Sequence, residues 1–276
     1  IDKILYDKGW RYIRNIDDYT CYVSTNEDGQ LFLTELSEQL RAYDLALNHK
    51  KTSIDELPTA SVEQWVRKIN TFTAFDTKEK MNFKEVRAYL DMAIELMQEN
   101  HDNAAILNYA MKVLAKKQLT ENAKSYYVKT IFHLTVIYPY LVSLLEEYVF
   151  MPFGVETTMI SKISALLYEE GVKLKNYEAV CYALYYANKY EFEIRELDFD
   201  VAKSSNNCLF LLFSYLYYEK KKDKAAVKMC KDYARSLLAT EMDNFWLFIY
   251  EALPQSDLRD YWKAMKKSKV SFLVEI

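Results

Sequence analysis

Two aspartates stand side by side in Arg14-Asn15-Ile16-Asp17-Asp18-Tyr19, and further on the chain reads Leu47-Asn48-His49-Lys50-Lys51-Thr52. Adjacent carboxylates on a tight turn offer oxygen ligands to a hard cation such as Mg²⁺, which binds through one or two carboxylates and keeps several waters. An Ile-Asp-Asp tripeptide by itself says little, because any surface turn accepts two acids. Its meaning depends on the segments around it.

Those segments are short and patterned. Arg11–Ile16 and Tyr19–Ser24 are rich in β-branched and aromatic residues, and Asp17-Asp18 reads as the two-residue connector of a β-hairpin. Glu27-Asp28-Gly29 opens a helix in which Leu33, Leu36, Leu40 and Tyr43 recur on one face. Leu45–Ile54 alternates apolar and polar residues like a further strand, and Pro58 closes the unit. The result is a ββαβ piece too small to complete a sheet domain by itself. Beyond Pro58 the helical period takes over, through stretches such as Val62–Phe72, Phe83–Asn100, Asn103–Lys117, Tyr140–Tyr148, Phe245–Leu253 and Ser256–Lys267, with short polar connectors. Asp102-Asn103 and Asn206-Asn207 open comparable helix pairs, a loose echo that points to an irregular α-solenoid or bundle. The expected fold class is therefore mainly α: a small ββαβ unit over 1–58 and a helical repeat domain over 59–276.

Composition narrows the chemistry. Of 276 residues, only four are Gly and four Pro, which argues against a loop-rich or all-β fold. The net charge of −4 provides no global basic field for nucleic acid. Cys21, Cys181, Cys208 and Cys230 show no metal-binding spacing, and with three His a zinc site is not expected; free thiols in a reducing cytosol are. No apolar stretch has the length and purity of a membrane span. His49 reads as exposed, His101 as lying near a helix cap, and His133 as a core histidine. Among the 24 Tyr, the pairs Tyr126-Tyr127, Tyr185-Tyr186 and Tyr217-Tyr218 read as core-filling rings on helix faces whose hydroxyls reach the surface. The runs Lys220–Lys224 and Lys263–Lys269 read first as solvated helix ends and second as a nucleic-acid track.

Taken together, Arg14-x-x-Asp17-Asp18-Tyr19, the strand from Tyr19 to Ser24, the acidic helix start, Leu45-x-Leu47-Asn48-x-x-Lys51-Thr52 and Leu57-Pro58 resemble the end of a reverse-transcriptase palm. The likeness is closest to the bacterial abortive-infection and defence-associated reverse transcriptases, which follow the palm with a long HEAT-like helical domain. The resemblance implies Asp17 and Asp18 as metal-binding carboxylates for Mg²⁺, Lys51 beside the incoming nucleotide, and Asn48 shaping the turn around it. It also implies dNTP substrates, a nucleic-acid partner, DNA synthesis that is template-independent and protein-primed in some members, homo-oligomers, and a cytoplasmic role in antiphage defence. Two departures stand out: Asn15 occupies the place of the family's aromatic residue, and the earlier strand with the partner aspartate is missing. The chain opens at Ile1 without Met and so reads as the C-terminal part of a longer protein, inactive alone. The competing readings are a helical scaffold that binds partner proteins, and a retron or group II-like enzyme that copies an RNA template.

Overall fold

The computed structural model describes residues 1–49, 51–58, 62–74 and 80–273. They form two compact units, Ile1–Glu63 and Gln64–Ile276. As expected, the fold is mainly α with one small sheet.

The first unit runs α1 (Asp2–Asp7), β1 (Tyr12–Asn15), β2 (Asp18–Cys21) and α2 (Asn26–Arg41). The antiparallel register pairs Tyr12 with Cys21, Arg14 with Tyr19 and Asn15 with Asp18. The connector is therefore Ile16-Asp17 rather than Asp17-Asp18, and Asp18 already belongs to β2. Thr25 caps α2, accepting the Asp28 N–H at 3.1 Å and donating to the Asp28 carboxylate at 2.8 Å. The buried face of α2 is Phe32, Leu36 and Leu40, spaced one helical turn apart, and it closes on Leu5 of α1 to make a small core. The expected stripe placed Leu33 where Phe32 belongs. It also included Tyr43, which lies past the helix end and is 61% exposed.

Among the described residues, 45–49 and 51–54 form no strand, so the described unit is a helix, a hairpin and a second helix rather than ββαβ. Alternation alone does not make a strand, because the backbone groups also need a ladder partner. Here they bond locally: Lys51 N–H and Thr52 N–H both donate to the Asn48 carbonyl, at 2.9 and 3.0 Å. Leu47 packs on the small core. Ile54 sits so close to Gly29 that a β-carbon there would meet its side chain at 3.1 Å.

The second unit runs α3 (Gln64–Ala74), α4 (Phe83–Glu99), α5 (Ala104–Leu114), α6 (Glu121–Ile137), α7 (Met151–Phe153), α8 (Thr157–Lys173), α9 (Tyr177–Lys189), α10 (Phe199–Ser204), α11 (Cys208–Lys220), α12 (Lys224–Leu237), α13 (Met242–Ala252) and α14 (Asp260–Lys267). Helices adjacent or next-but-one in sequence pack together, notably α8 on α9, α9 on α11 and α11 on α13. The expected helix over Tyr140–Tyr148 is instead a 3₁₀ turn, Pro139–Leu144, followed by a π turn, Glu146–Phe150. His133 is exposed rather than buried, because α6 turns Tyr127, Val128, Ile131, Leu134 and Thr135 inward.

Two corners of this unit share one construction. At the end of α8, Asn176 N–H donates to the Gly171 carbonyl at 2.8 Å and Lys175 N–H to Val172 at 3.3 Å. At the end of α11, Asp223 N–H donates to Tyr218 and Lys222 N–H to Glu219, both at 3.0 Å. These are Schellman closures. The last residue of each then caps the next helix with its side chain, Asn176 onto Ala179 N–H and Asp223 onto Ala225 and Ala226. One residue ends a helix and begins another. The left-handed position falls on Lys175 (φ +56°) and Lys222 (φ +59°), where glycine would be unstrained. Lys222→Gly is therefore expected to stabilise the protein by about 0.5–1 kcal/mol, the relief of left-handed strain less the added chain entropy. A urea midpoint that rises for Lys222→Gly but not for Lys222→Ala would verify this.

The tyrosines do more than fill space. Tyr89, Tyr127, Tyr186 and Tyr250 are fully buried, and their hydroxyls reach backbone carbonyls on distant segments rather than the surface. Tyr186 donates to Val142 at 2.7 Å and Tyr127 to Tyr148 at 3.3 Å, satisfying carbonyls in the irregular 3₁₀–π segment. The Val142 oxygen also accepts the Leu145 N–H, so Tyr186→Phe removes one of its two hydrogen bonds and is expected to cost about 1 kcal/mol, measurable as a loss of thermal stability.

Burial also sets a pH response. It raises the pKa of Tyr168 from 10.0 to about 12, and pushes Tyr127 and Tyr186 up as well. The unfolded chain therefore loses these protons first. Their contribution is fully present below about pH 10 and is lost as pH rises through the folded values. Steep unfolding above pH 10, followed by near-UV circular dichroism, is the expected result. A flat stability profile to pH 12 would contradict it.

Candidate functional site

The candidate site is the tip of the hairpin. Residues alternate across the two strands, so Tyr12, Arg14, Tyr19 and Cys21 share one face and Ile13, Asn15, Asp18 and Thr20 the other. The first face is covered: Tyr12 packs on Phe32 with ring centroids 5.8 Å apart and on Tyr19 at 5.5 Å. The second is open to solvent, with Ile13 62% exposed and Asp18 exposed beside it.

At the tip, Ile16 has φ +59° and is 83% exposed. A β-branched residue in the left-handed region is strained, and such strain concentrates at functional sites. A positive φ at the first central residue is what primed hairpin turns require, a position normally held by glycine or asparagine. Asp17 follows directly and is exposed. Among the described residues no lysine or arginine forms an ion pair with Asp17 or Asp18.

Arg14 braces this turn. Its Nε donates to the Ile16 carbonyl at 2.8 Å, and its guanidinium lies 5.1 Å from the centroid of its cross-strand partner Tyr19. The same guanidinium pairs with Asp2, which also accepts the Tyr12 hydroxyl at 2.7 Å. The Tyr12 hydrogen bond, with help from Arg14, holds the Asp2 carboxyl below the usual range. Tyr12 in turn is pushed up to about 12 by burial and by Asp2. Asp2 is thus committed to bracing the hairpin. The sequence motif includes Arg14 but does not show its role, and nothing local in the sequence marks Asp2 or Tyr12.

The expected nucleotide-side residues sit elsewhere in the same unit. Asn48 and Lys51 share the turn after α2, closed by the Asn48 carbonyl, which also accepts the Thr52 hydroxyl at 3.0 Å. Both are exposed. Lys50 lies outside the described residues. The hairpin thus brings Asp17 and Asp18 together, the second turn brings Asn48 and Lys51 together, and among the described residues no ion pair joins the two groups.

Two adjacent carboxylates on a braced turn suit Mg²⁺, which takes one or two protein carboxylates and leaves its other positions to water and phosphate. Among the described residues no cluster of three or more acidic, His or Cys side chains adds to them. Two lysines of the basic runs sit at helix ends: the Lys222 backbone takes the left-handed position after α11, and Lys266 donates to the Tyr250 and Glu251 carbonyls at the end of α13. Cys181 and Cys230 are buried, with thiols pushed up to about 12 chiefly by desolvation. No helix among the described residues is long and apolar enough to cross a membrane. No family model matches the sequence, and neither a curated protein nor a solved structure matches it.

Proposed function

We propose that this chain forms the end of the palm and the helical domain of a nucleotidyltransferase, an RNA-directed DNA polymerase of the abortive-infection kind acting in antiphage defence. The observation that carries the reading is the hairpin tip: Asp17 exposed after a strained Ile16, the turn braced by Arg14, and no ion pair to either carboxylate among the described residues. In this role Asp17 and Asp18 hold Mg²⁺, which activates the attacking hydroxyl and stabilises the leaving pyrophosphate. Lys51 offsets phosphate charge, and Asn48 holds its turn. The hairpin supplies only part of the carboxylate set such a site requires, so activity belongs to the intact protein.

The test is incorporation of labelled dNTPs by the intact protein with Mg²⁺, with and without a supplied RNA. Product complementary to the RNA would indicate templated synthesis, and product of unrelated sequence would indicate untemplated synthesis. No incorporation under either condition, with Mg²⁺ or Mn²⁺, would leave the hairpin as a structural feature of a helical scaffold.

A further inference from the structure

The first unit carries an open cleft of about 480 Å³ along α1 and the start of β1, lined by Asp2, Lys3, Tyr6, Trp10, Arg11, Tyr12 and Arg14. The charge of this lining is one-sided. Asp2 is its sole acid, and its two carboxylate oxygens already accept from Tyr12 and Arg14. Lys3 is exposed, and no ion pair among the described residues engages it. The Arg11 guanidinium lies 4.3 Å from the centroid of the Tyr6 ring, and Tyr6 is 60% exposed. A guanidinium stacked on an exposed phenol ring is a ready platform for a further planar group.

Cations interleaved with aromatic rings hold single-stranded nucleic acid, with phosphates on the cations and bases stacked on the rings. The volume falls within the range of small-molecule sites. We propose that this cleft binds one nucleotide unit of a single strand, its base stacked on the Tyr6–Arg11 pair and its phosphate held by Lys3 and Arg14. Arg14 keeps unused N–H donors for this after serving Ile16 and Asp2. The choice of a nucleic acid among anionic aromatic ligands rests on the polymerase reading. The cleft does not include Asp17 or Asp18.

The test is titration of a fluorescent twelve-residue oligothymidylate with this chain in EDTA, which removes metal-dependent binding. Arg11→Glu and Tyr6→Ala are expected to weaken binding roughly tenfold each, and an abasic strand of equal length to bind roughly tenfold more weakly. Both side chains are exposed, and circular dichroism verifies that the variants fold. Asp17→Asn is expected to leave this binding unchanged, so loss of dNTP incorporation and loss of strand binding report on different residues. Unaltered binding by both cleft variants, equal binding of the abasic strand, or equal competition by polyglutamate would overturn the proposal. So would binding lost only in Lys221→Glu or Lys224→Glu, which would move the site to the run Lys220–Lys224.

Discussion

Asp17→Asn is expected to lower dNTP incorporation by the intact protein at least about 10³-fold, while leaving its stability within about 0.5 kcal/mol of the parent. The magnitude follows from what the cation does in the reaction. A metal ion that neutralises developing phosphoryl charge is worth several kcal/mol in the transition state, and each 1.36 kcal/mol is tenfold in rate. Asparagine keeps the shape of aspartate but removes the negative charge that holds the cation. The stability expectation follows from exposure, since Asp17 sits at the tip with no ion-pair partner among the described residues. Asp18→Asn should cost less, because Asp18 is a strand residue opposite Asn15 and its register confines where its carboxylate can go. Single-turnover incorporation and thermal unfolding, measured on the same preparations, separate the two quantities. Incorporation that survives Asp17→Asn would sink the metal role.

The second large effect concerns packing. Gly171→Val is expected to destabilise the helical unit by about 3 kcal/mol or more, lowering its melting temperature by roughly 10 °C. A β-carbon at this position would lie 2.8 Å from Val180 Cγ2 and 3.0 Å from the Asn176 carbonyl oxygen. The valine side chain could shift, but the backbone carbonyl is held by the connector that closes α8 and opens α9. Gly171 also accepts the Asn176 N–H at 2.8 Å, so displacing α9 weakens that closure as well. Gly154 provides the contrast: a β-carbon there meets nothing within 4 Å, and only its φ of +53° penalises a side chain. Gly154→Ala should therefore cost about 1 kcal/mol. Equal melting temperatures for the two variants would show that the close approach at Gly171 is unimportant.

The helices of the second unit are largely legible because two local signals agree there, the apolar period and the Asn or Asp caps at the corners. Where only one signal acts, the reading slips. The apolar run after Pro139 reads as one helix, yet its 3₁₀ and π turns are met by hydroxyls arriving from Tyr127 and Tyr186 on other helices, which no local pattern displays. Leu45–Ile54 alternates like a strand but has no ladder partner among the described residues. Six-residue α1 and α10 are too short to display a period. At the candidate site the turn is visible but its register is displaced by one residue, because an isoleucine at positive φ contradicts local preference. The bracing of Arg14 by Asp2, which also holds the Tyr12 hydroxyl, joins residues beyond the reach of one strand's pattern, and no local signal encodes it.

The shared corners also bear on how this protein can vary. Surface turns are usually where chains accept an extra residue, because a loop has slack to absorb it. Here Asn176 and Asp223 each finish one helix and start the next, leaving no slack. One residue inserted beside either would break the closure, the cap or both. Absorbed into the following helix instead, it would rotate that helix by about 100° and turn its apolar stripe from the core toward water. Length change should therefore be tolerated least at these exposed corners, and related chains should differ there by substitution rather than by insertion.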